Sequence, residues 1–383
     1  MIATEAAHLL SVYPQLPLDL VSARGVFLRT TGGDEVLDFY GGHAVAALGY
    51  AHPRVVETLT RQATEMTFQT NAVALEVRAR AADKLVGVAP PGLPRVFFAN
   101  SGAEANENAL RLAFFARPGR ETVVALEHGF HGRTAAAAAV TWGASKWYAF
   151  PQTPFPVTFA PRDDVARVEE AIDDRTAAVI VEPIQGMAGA VALAPELLRA
   201  LRRRCDETGA VLIFDEVQSG VGRSGHYFAC EEHGVTPDIL TTAKALAAGF
   251  PVGAVLATEE IARHAAMGSL GTTFGGGPLA CALVLTVLEV IESEGLLANV
   301  RRLSERIRST CRVGPVESIQ GAGFLLGLRC RKPAAAVRDE LLKKNVLVGT
   351  SADPHVVRLL PPLVLEEEHV ATLANALEKV SPT

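Results

Sequence analysis

Ala177-Ala-Val-Ile-Val181, the segment Pro195 to Thr208, and Ala210-Val-Leu-Ile-Phe-Asp-Glu216 together decide the fold class of this chain. The first and third are short, unbroken apolar runs, the pattern of strands buried on both faces, and the segment between them has helical length and spacing. Strand, helix, strand in this order is the unit of a mainly parallel sheet. On the N-terminal side of these, Val123-Val-Ala-Leu126 reads as another buried strand and Val165 to Ile172 as another helix. The pattern predicts an α/β fold with a large, mainly parallel central sheet. In such sheets ligands sit beyond the carboxyl ends of the strands, which is where Ser101, Glu182 and Asp215 fall.

Two of these strands lead to chemistry. Lys244 lies in Pro237-Asp-Ile-Leu-Thr-Thr-Ala-Lys-Ala-Leu-Ala-Ala-Gly-Phe250, shortly after the strand that ends in Asp215-Glu216. Taken alone, a lysine among Ala and Leu is usually a solvated helix position, and an aspartate after a strand is often a turn residue or helix cap. Read together they point elsewhere. A buried ammonium is costly, so the amine tends to neutralise, and a neutral amine beside an aldehyde forms a Schiff base. A carboxylate at a buried strand end can keep a pyridine nitrogen protonated. These are the two demands of pyridoxal 5'-phosphate (PLP), which is an electron sink when its ring nitrogen is cationic.

A phosphate site is the third requirement. Arg95-Val-Phe-Phe-Ala-Asn-Ser-Gly-Ala-Glu-Ala-Asn-Glu-Asn-Ala-Leu-Arg-Leu-Ala113 reads as a buried strand, a Ser101-Gly102 turn and a helix. Ser101 and Glu104 fit a capping box, a structural use of the hydroxyl. The same helix start offers the Gly102 and Ala103 amides, with Ser101 alongside, to an anion. Both readings stay open at this point. Gly220-Val-Gly-Arg-Ser-Gly225 has dinucleotide-fingerprint spacing, but Asp-Glu-Val-Gln separates it from the strand and His226-Tyr-Phe-Ala-Cys230 follows it; a flexible loop near the cofactor is the expectation.

Composition narrows the field further. The chain has 383 residues, 49% hydrophobic and 20% charged, with a formal net charge of −6. That balance suits a globular protein and gives no electrostatic case for nucleic acid or an anionic membrane. No apolar run is long enough to span a bilayer, and Met1-Ile-Ala-Thr-Glu-Ala-Ala-His8 lacks a signal pattern, so a cytoplasmic location is expected. Cys205, Cys230, Cys281, Cys311 and Cys330 are odd in number and widely spaced, which argues against a disulfide framework or a zinc ribbon. His128 and His131 are flanked by Gly129 and Gly132, poor support for a rigid metal site, and no metal is expected.

Several segments, in order, resemble the class III, fold-type I PLP aminotransferases of the acetylornithine aminotransferase group. They are Asn100-Ser-Gly-Ala-Glu-Ala-Asn106, Phe130-His-Gly-Arg-Thr134, Val181-Glu-Pro-Ile-Gln-Gly186, Phe214-Asp-Glu-Val-Gln-Ser-Gly-Val-Gly-Arg223, Thr242-Ala-Lys-Ala-Leu246 and Gly271-Thr-Thr-Phe-Gly-Gly276, within a likeness running from Leu37 to Leu363. The resemblance implies a PLP-dependent transamination between an ω-amine, N-acetylornithine or a close relative, and 2-oxoglutarate, as in arginine biosynthesis. Lysine-biosynthesis intermediates, ornithine and γ-aminobutyrate are alternative substrates, and fold-type I also houses aminomutases and racemases.

By the same resemblance, Lys244 carries the cofactor and moves the proton, Asp215 faces the ring nitrogen, and Gln218 faces the ring hydroxyl. Val217 and Phe130 are expected on the two ring faces, with simple core packing as the alternative for each. Thr273 is similar to a residue that reaches the phosphate of the neighbouring subunit, which implies a homodimer. Arg133 resembles the arginine for the carboxylate of acetylornithine and Arg358 the one for the α-carboxylate of glutamate. Glu182 is expected to orient the Gln218 side of the pocket, with a purely structural partner at the strand end as the alternative.

Two positions depart from the family pattern. Met187 stands where relatives carry a glutamate that masks and releases the arginine, and Gly277 replaces an asparagine before Pro278. The composition change at Gly275-Gly-Gly-Pro278 places the large PLP-binding domain at 46–278. By the resemblance, 1–45 packs with 279–383 to form a smaller α+β domain, entered by a helix from Leu279 to Glu294 and including a strand at Gly321-Ala-Gly-Phe-Leu-Leu-Gly-Leu328.

Overall fold

The computed structural model describes residues 2–381, and of these the side chains of 2 and 3 are left aside. Seven strands form the central sheet in the order Arg95–Ala99, Gly253–Ala257, Ile239–Thr242, Val211–Asp215, Thr176–Val181, Thr122–Leu126, Val157–Ala160. All are parallel except Gly253–Ala257, which runs antiparallel to both its neighbours.

The unbroken apolar runs follow from burial on both faces. Val211 and Ile213 pack into one cluster with Ala105, Ala109 and Ala113 of the helix Gly102–Ala116; Leu212 and Phe214 point the opposite way, into a second cluster with Leu197, Leu198 and Leu201 of the helix Pro195–Thr208. Alternation at period two feeds both layers, and each fully buried Leu, Ile or Phe contributes about 1.5–3 kcal/mol. The second helix begins with Pro195 in its first turn and ends at Gly209, whose φ of 74° closes it in the left-handed region.

Around the sheet lie smaller units. Leu20–Arg24, Phe27–Thr30 and Glu35–Asp38 form an antiparallel sheet, to which Val346–Leu347 adds in parallel. The C-terminal part builds a sheet of Val316–Ala322, Leu325–Cys330, Val356–Leu359 and Gly349–Thr350. The strand expected over Gly321 to Leu328 is in fact the end of one strand and most of the next: Gly321 and Gly323, with φ of 96° and 53°, turn the chain there. The helix Pro278–Ser293 packs on Pro53–Glu65, on Glu76–Val88 and on the turn that holds Lys244. Among the described residues no helix is long and apolar enough to cross a membrane.

The Gly220–Gly225 loop differs from the flexible loop expected of it. It is buried throughout, with Arg223 fully enclosed and donating to the carbonyls of Pro361 and Ala44. The element that follows it is the short 3-10 helix Ala229–His233 and not an α-helix.

Candidate active site

Four parallel strands deliver their carboxyl ends to one cavity of about 410 Å³. Phe130 follows Thr122–Leu126, Glu182 follows Thr176–Val181, Asp215 closes Val211–Asp215, and Lys244 follows Ile239–Thr242. Ser101, Gly102, Ala103, Arg133, Met187, Val217 and Gln218 also line the cavity. A larger hollow of about 620 Å³ lies between Pro53–Glu65, Glu76–Val88 and Pro278–Ser293, but its charged wall, including the Arg54–Glu289 pair, brings together none of these groups.

Lys244 sits at φ 45°, an uncommon left-handed conformation for a non-glycine residue, in a short turn between the strand and Ala248. Burial pulls its amine below the ordinary lysine value, against the opposing pull of Asp215 and Glu182.

Asp215 is fixed on three sides. Its Oδ2 accepts from Asn106 Nδ2 at 2.7 Å and lies 2.8 Å from His131 Nδ1, while its Oδ1 accepts from the Val217 amide at 3.0 Å. Asn106 is itself held: it donates also to the His131 carbonyl, using both its amide hydrogens, and accepts from the Thr241 hydroxyl. Such a network holds the carboxylate in one orientation and leaves Oδ1 lone-pair capacity for a ligand donor.

The helix start serves both readings of Ser101. Its hydroxyl oxygen accepts from the Glu104 amide at 3.2 Å, while the Glu104 carboxylate reaches back to the Asn100 amide. That use leaves the hydroxyl proton free to donate. The amides of Gly102 and Ala103 precede the first intrahelical bond, from Ala105 to Ser101, and so retain donor capacity at the positive end of the helix. Close approach here depends on glycine: a Cβ on Gly102 would stand 2.6 Å from Val217 Cγ1, and one on Gly253 would stand 2.3 Å from the Ser101 carbonyl oxygen.

Glu182 accepts from the Phe130 amide at 2.9 Å and the Gly186 amide at 3.0 Å. Burial raises its carboxyl pKa, and neighbouring Asp215 adds to the rise. Its link to Gln218 is indirect, through Gly186, on whose Cα the Gln218 side chain rests so closely that a Cβ there would overlap it. Met187 follows in the hairpin between Ile184–Gln185 and Val191–Ala192, its carbonyl accepting from the Ala352 amide.

The two arginines are placed differently. Arg133 is exposed at the cavity, its guanidinium 4.4 Å from the centre of the Trp147 ring. Arg358 is 1% exposed and does not line the cavity; it lies behind Gln218 and Gly186. Burial lowers its pKa. Thr273 is exposed and stands outside the cavity of its own chain.

Sequence reasoning missed His131, weighed only as a metal ligand, and Asn106 and Trp147. Asn106 had a signal: it is a polar residue next to Ala105 and one turn from Ala109, on the face that this helix buries.

The sequence model of the family Aminotransferase class-III matches residues 11–380. The chain belongs to the class-III aminotransferases. It is 38% identical over 390 residues to an acetylornithine aminotransferase of Methanocaldococcus jannaschii, covering 98% of this chain and 96% of that protein. To the acetylornithine aminotransferase of Streptomyces coelicolor it is 43% identical over 375 residues, covering 95% and 90%. The crystal structure of the ornithine aminotransferase from Toxoplasma gondii ME49 superposes with a TM-score of 0.92 at 30% identity, covering 99% of this chain and 93% of that one.

Class-III aminotransferases are PLP-dependent, and the fold is that of the fold-type I enzymes. The residues present fit that cofactor: a depressed lysine, a buried carboxylate with an acceptor site left, and free amides at a helix start occupy one cavity.

Proposed function

We propose that this PLP-dependent aminotransferase moves the terminal amino group of N-acetylornithine to 2-oxoglutarate, giving the semialdehyde and glutamate. The observation that carries the reading is the convergence of Lys244, Asp215 and the Ser101–Ala103 helix start on one cavity, in a chain whose relatives at 37–43% identity are acetylornithine aminotransferases.

PLP, when bound, supplies the electron sink that lets an amino group pass between two substrates. In this reading Lys244 holds the cofactor and its Nζ moves the proton to and from the substrate carbon. Asp215 would face the ring nitrogen, with Asn106 and His131 keeping the carboxylate in place. Ser101, Gly102 and Ala103 would hold the phosphate. Phe130 and Val217 would confine the ring, and Gln218 would face its hydroxyl. Glu182, by gripping the Phe130 and Gly186 amides, holds that wall in shape. Arg133 takes the carboxylate at the far end of acetylornithine, and Arg358 the α-carboxylate of glutamate.

A homodimer belongs to the same reading, with Thr273 reaching the partner's phosphate site. Its support is that Thr273 is exposed and outside its own cavity, beside an exposed Phe274 that pairs with exposed Phe68 at 5.4 Å between ring centres. A cytoplasmic location is also part of it, supported by five buried, unpaired cysteines.

The exposed position of Arg133 favours a second reading, a longer ω-amine such as a lysine-biosynthesis intermediate. A single-turnover screen of the loaded enzyme decides. Loss of the visible cofactor absorbance is expected fastest with N-acetylornithine; a faster response to lysine derivatives, ornithine or γ-aminobutyrate overturns the substrate assignment.

A further inference from the structure

Arg358 is a buried cation whose direct hydrogen-bond partners are all neutral, with Glu182 the acid whose charge reaches it. Its Nε donates to the Thr350 carbonyl at 2.6 Å, Nη1 to the Gly186 carbonyl at 3.3 Å and to Gln218 Oε1 at 3.5 Å, and Nη2 to the Tyr40 hydroxyl at 3.2 Å. No ion pair among the described residues includes it, and Met187 brings no acid to it.

The Tyr40 hydroxyl is held from the other side by His43 Nδ1 at 2.7 Å. Accepting from Arg358, Tyr40 is free to give its own proton to His43, so the three groups form a chain running outward from buried to exposed. Backbone geometry supports this placement. Gly41, Gly42, His43 and Ala44 all have φ between 54° and 70°, a left-handed turn that brings His43 back over Tyr40. The Tyr40 ring lies against Gly349, where a Cβ would be 2.0 Å from its Cε2.

We propose that Tyr40 and His43 are specificity-determining residues: together they form a neutral, displaceable cover on Arg358, in place over the uncharged chain of an ω-amine and displaced by the α-carboxylate of glutamate or 2-oxoglutarate. This rests on the reading of Arg358 as the α-carboxylate site. A carboxylate brings full opposite charge and two parallel bonds to the guanidinium, where the Tyr40 hydroxyl accepts one, so it wins the exchange. A methylene chain offers nothing to exchange, so the cover stays. One residue pair thus meets both half-reactions without an acid at position 187.

Titration calorimetry of the loaded enzyme with glutarate, which has both carboxylates of glutamate but neither amine nor carbonyl, tests this directly. Tyr40→Phe removes the competing hydroxyl and is expected to bind glutarate about tenfold more tightly than the parent. His43→Ala, in a turn where Ala44 already adopts φ 70°, should act in the same direction but less. The double variant should gain no more than Tyr40→Phe, because both changes remove one device. Unchanged or weaker glutarate binding in Tyr40→Phe, or additive effects in the double variant, overturns the cover while leaving Arg358 in its role, provided Arg358→Ala abolishes binding. If Arg358→Ala retains glutarate affinity, the reading of Arg358 falls and the cover with it.

Discussion

Asp215 Oδ2 stands 2.8 Å from His131 Nδ1, with both side chains buried, and Asn106 closes the same oxygen from its other side. The carboxylate is held by partners 84 and 109 residues away in sequence, so its orientation is set before any ligand arrives. Asp215→Asn should keep the melting temperature near the parent's and slow single-turnover proton transfer far more than it weakens substrate binding. His131→Phe should do less to the rate but weaken PLP affinity several-fold in equilibrium dialysis. Equal effects of both changes on every readout would mean that the pair is structural.

Lys244 gives a pH signature in the protein stripped of cofactor. Because burial lowers its folded-state pKa, the unfolded chain binds the extra proton, and the resulting penalty is full below the folded value and gone above the ordinary lysine value of about 10.4. The apoprotein of Lys244→Met should therefore melt higher than the parent apoprotein at neutral pH, with the difference narrowing toward pH 10. In the loaded state the same change should cut turnover on the order of a hundredfold or more.

Gly253 is a test of close approach. A methyl there meets the Ser101 carbonyl oxygen at 2.3 Å, and that oxygen is backbone, unable to rotate away. Gly253→Ala should destabilise the fold by about 1–3 kcal/mol and weaken PLP binding together, read by thermal melts and dialysis. Gly102→Ala meets only the Val217 side chain, so Val217→Ala should restore the stability it loses.

Trp147 holds Arg133 through its ring face at 4.4 Å. Trp147→Ala should raise KM for N-acetylornithine several-fold and leave the glutamate half-reaction unchanged. Arg133→Ala should raise it further, and the two changes together should be less than additive.

Met187→Glu places an acid on the hairpin whose Gly186 carbonyl already accepts from Arg358. Single-turnover rates should then rise for ω-amines relative to glutamate. A ratio that stays level or falls would make Met187 a packing residue.

Much of this fold was legible because its strands are buried on both faces. Pro195–Thr208 appears with the predicted bounds, and Val211–Asp215 within one residue, since Pro195, Gly209 and an unbroken apolar run mark them. The Gly321–Leu328 region was not legible: two glycines reverse the chain inside a run whose apolar character never changes. In the site, Lys244 and Asp215 stood out because charge in an apolar segment demands a reason. Tyr40 and His43 gave no such signal. Their relation to Arg358 spans 318 residues and arises from a left-handed turn that residue types alone do not announce.

The reversed strand Gly253–Ala257 has a metric consequence. Hydrogen-bonded to Arg95–Ala99 on one side and Ile239–Thr242 on the other, it holds the strands that lead to Ser101 and to Lys244 two strand spacings apart, about 10 Å across the sheet. That interval is a property of backbone pairing and is indifferent to the side chains that choose the substrate. The scaffold therefore acts as a fixed caliper for whatever bridges its two jaws, and substitutions such as Met187 or Tyr40 can retune what enters without resetting the gauge.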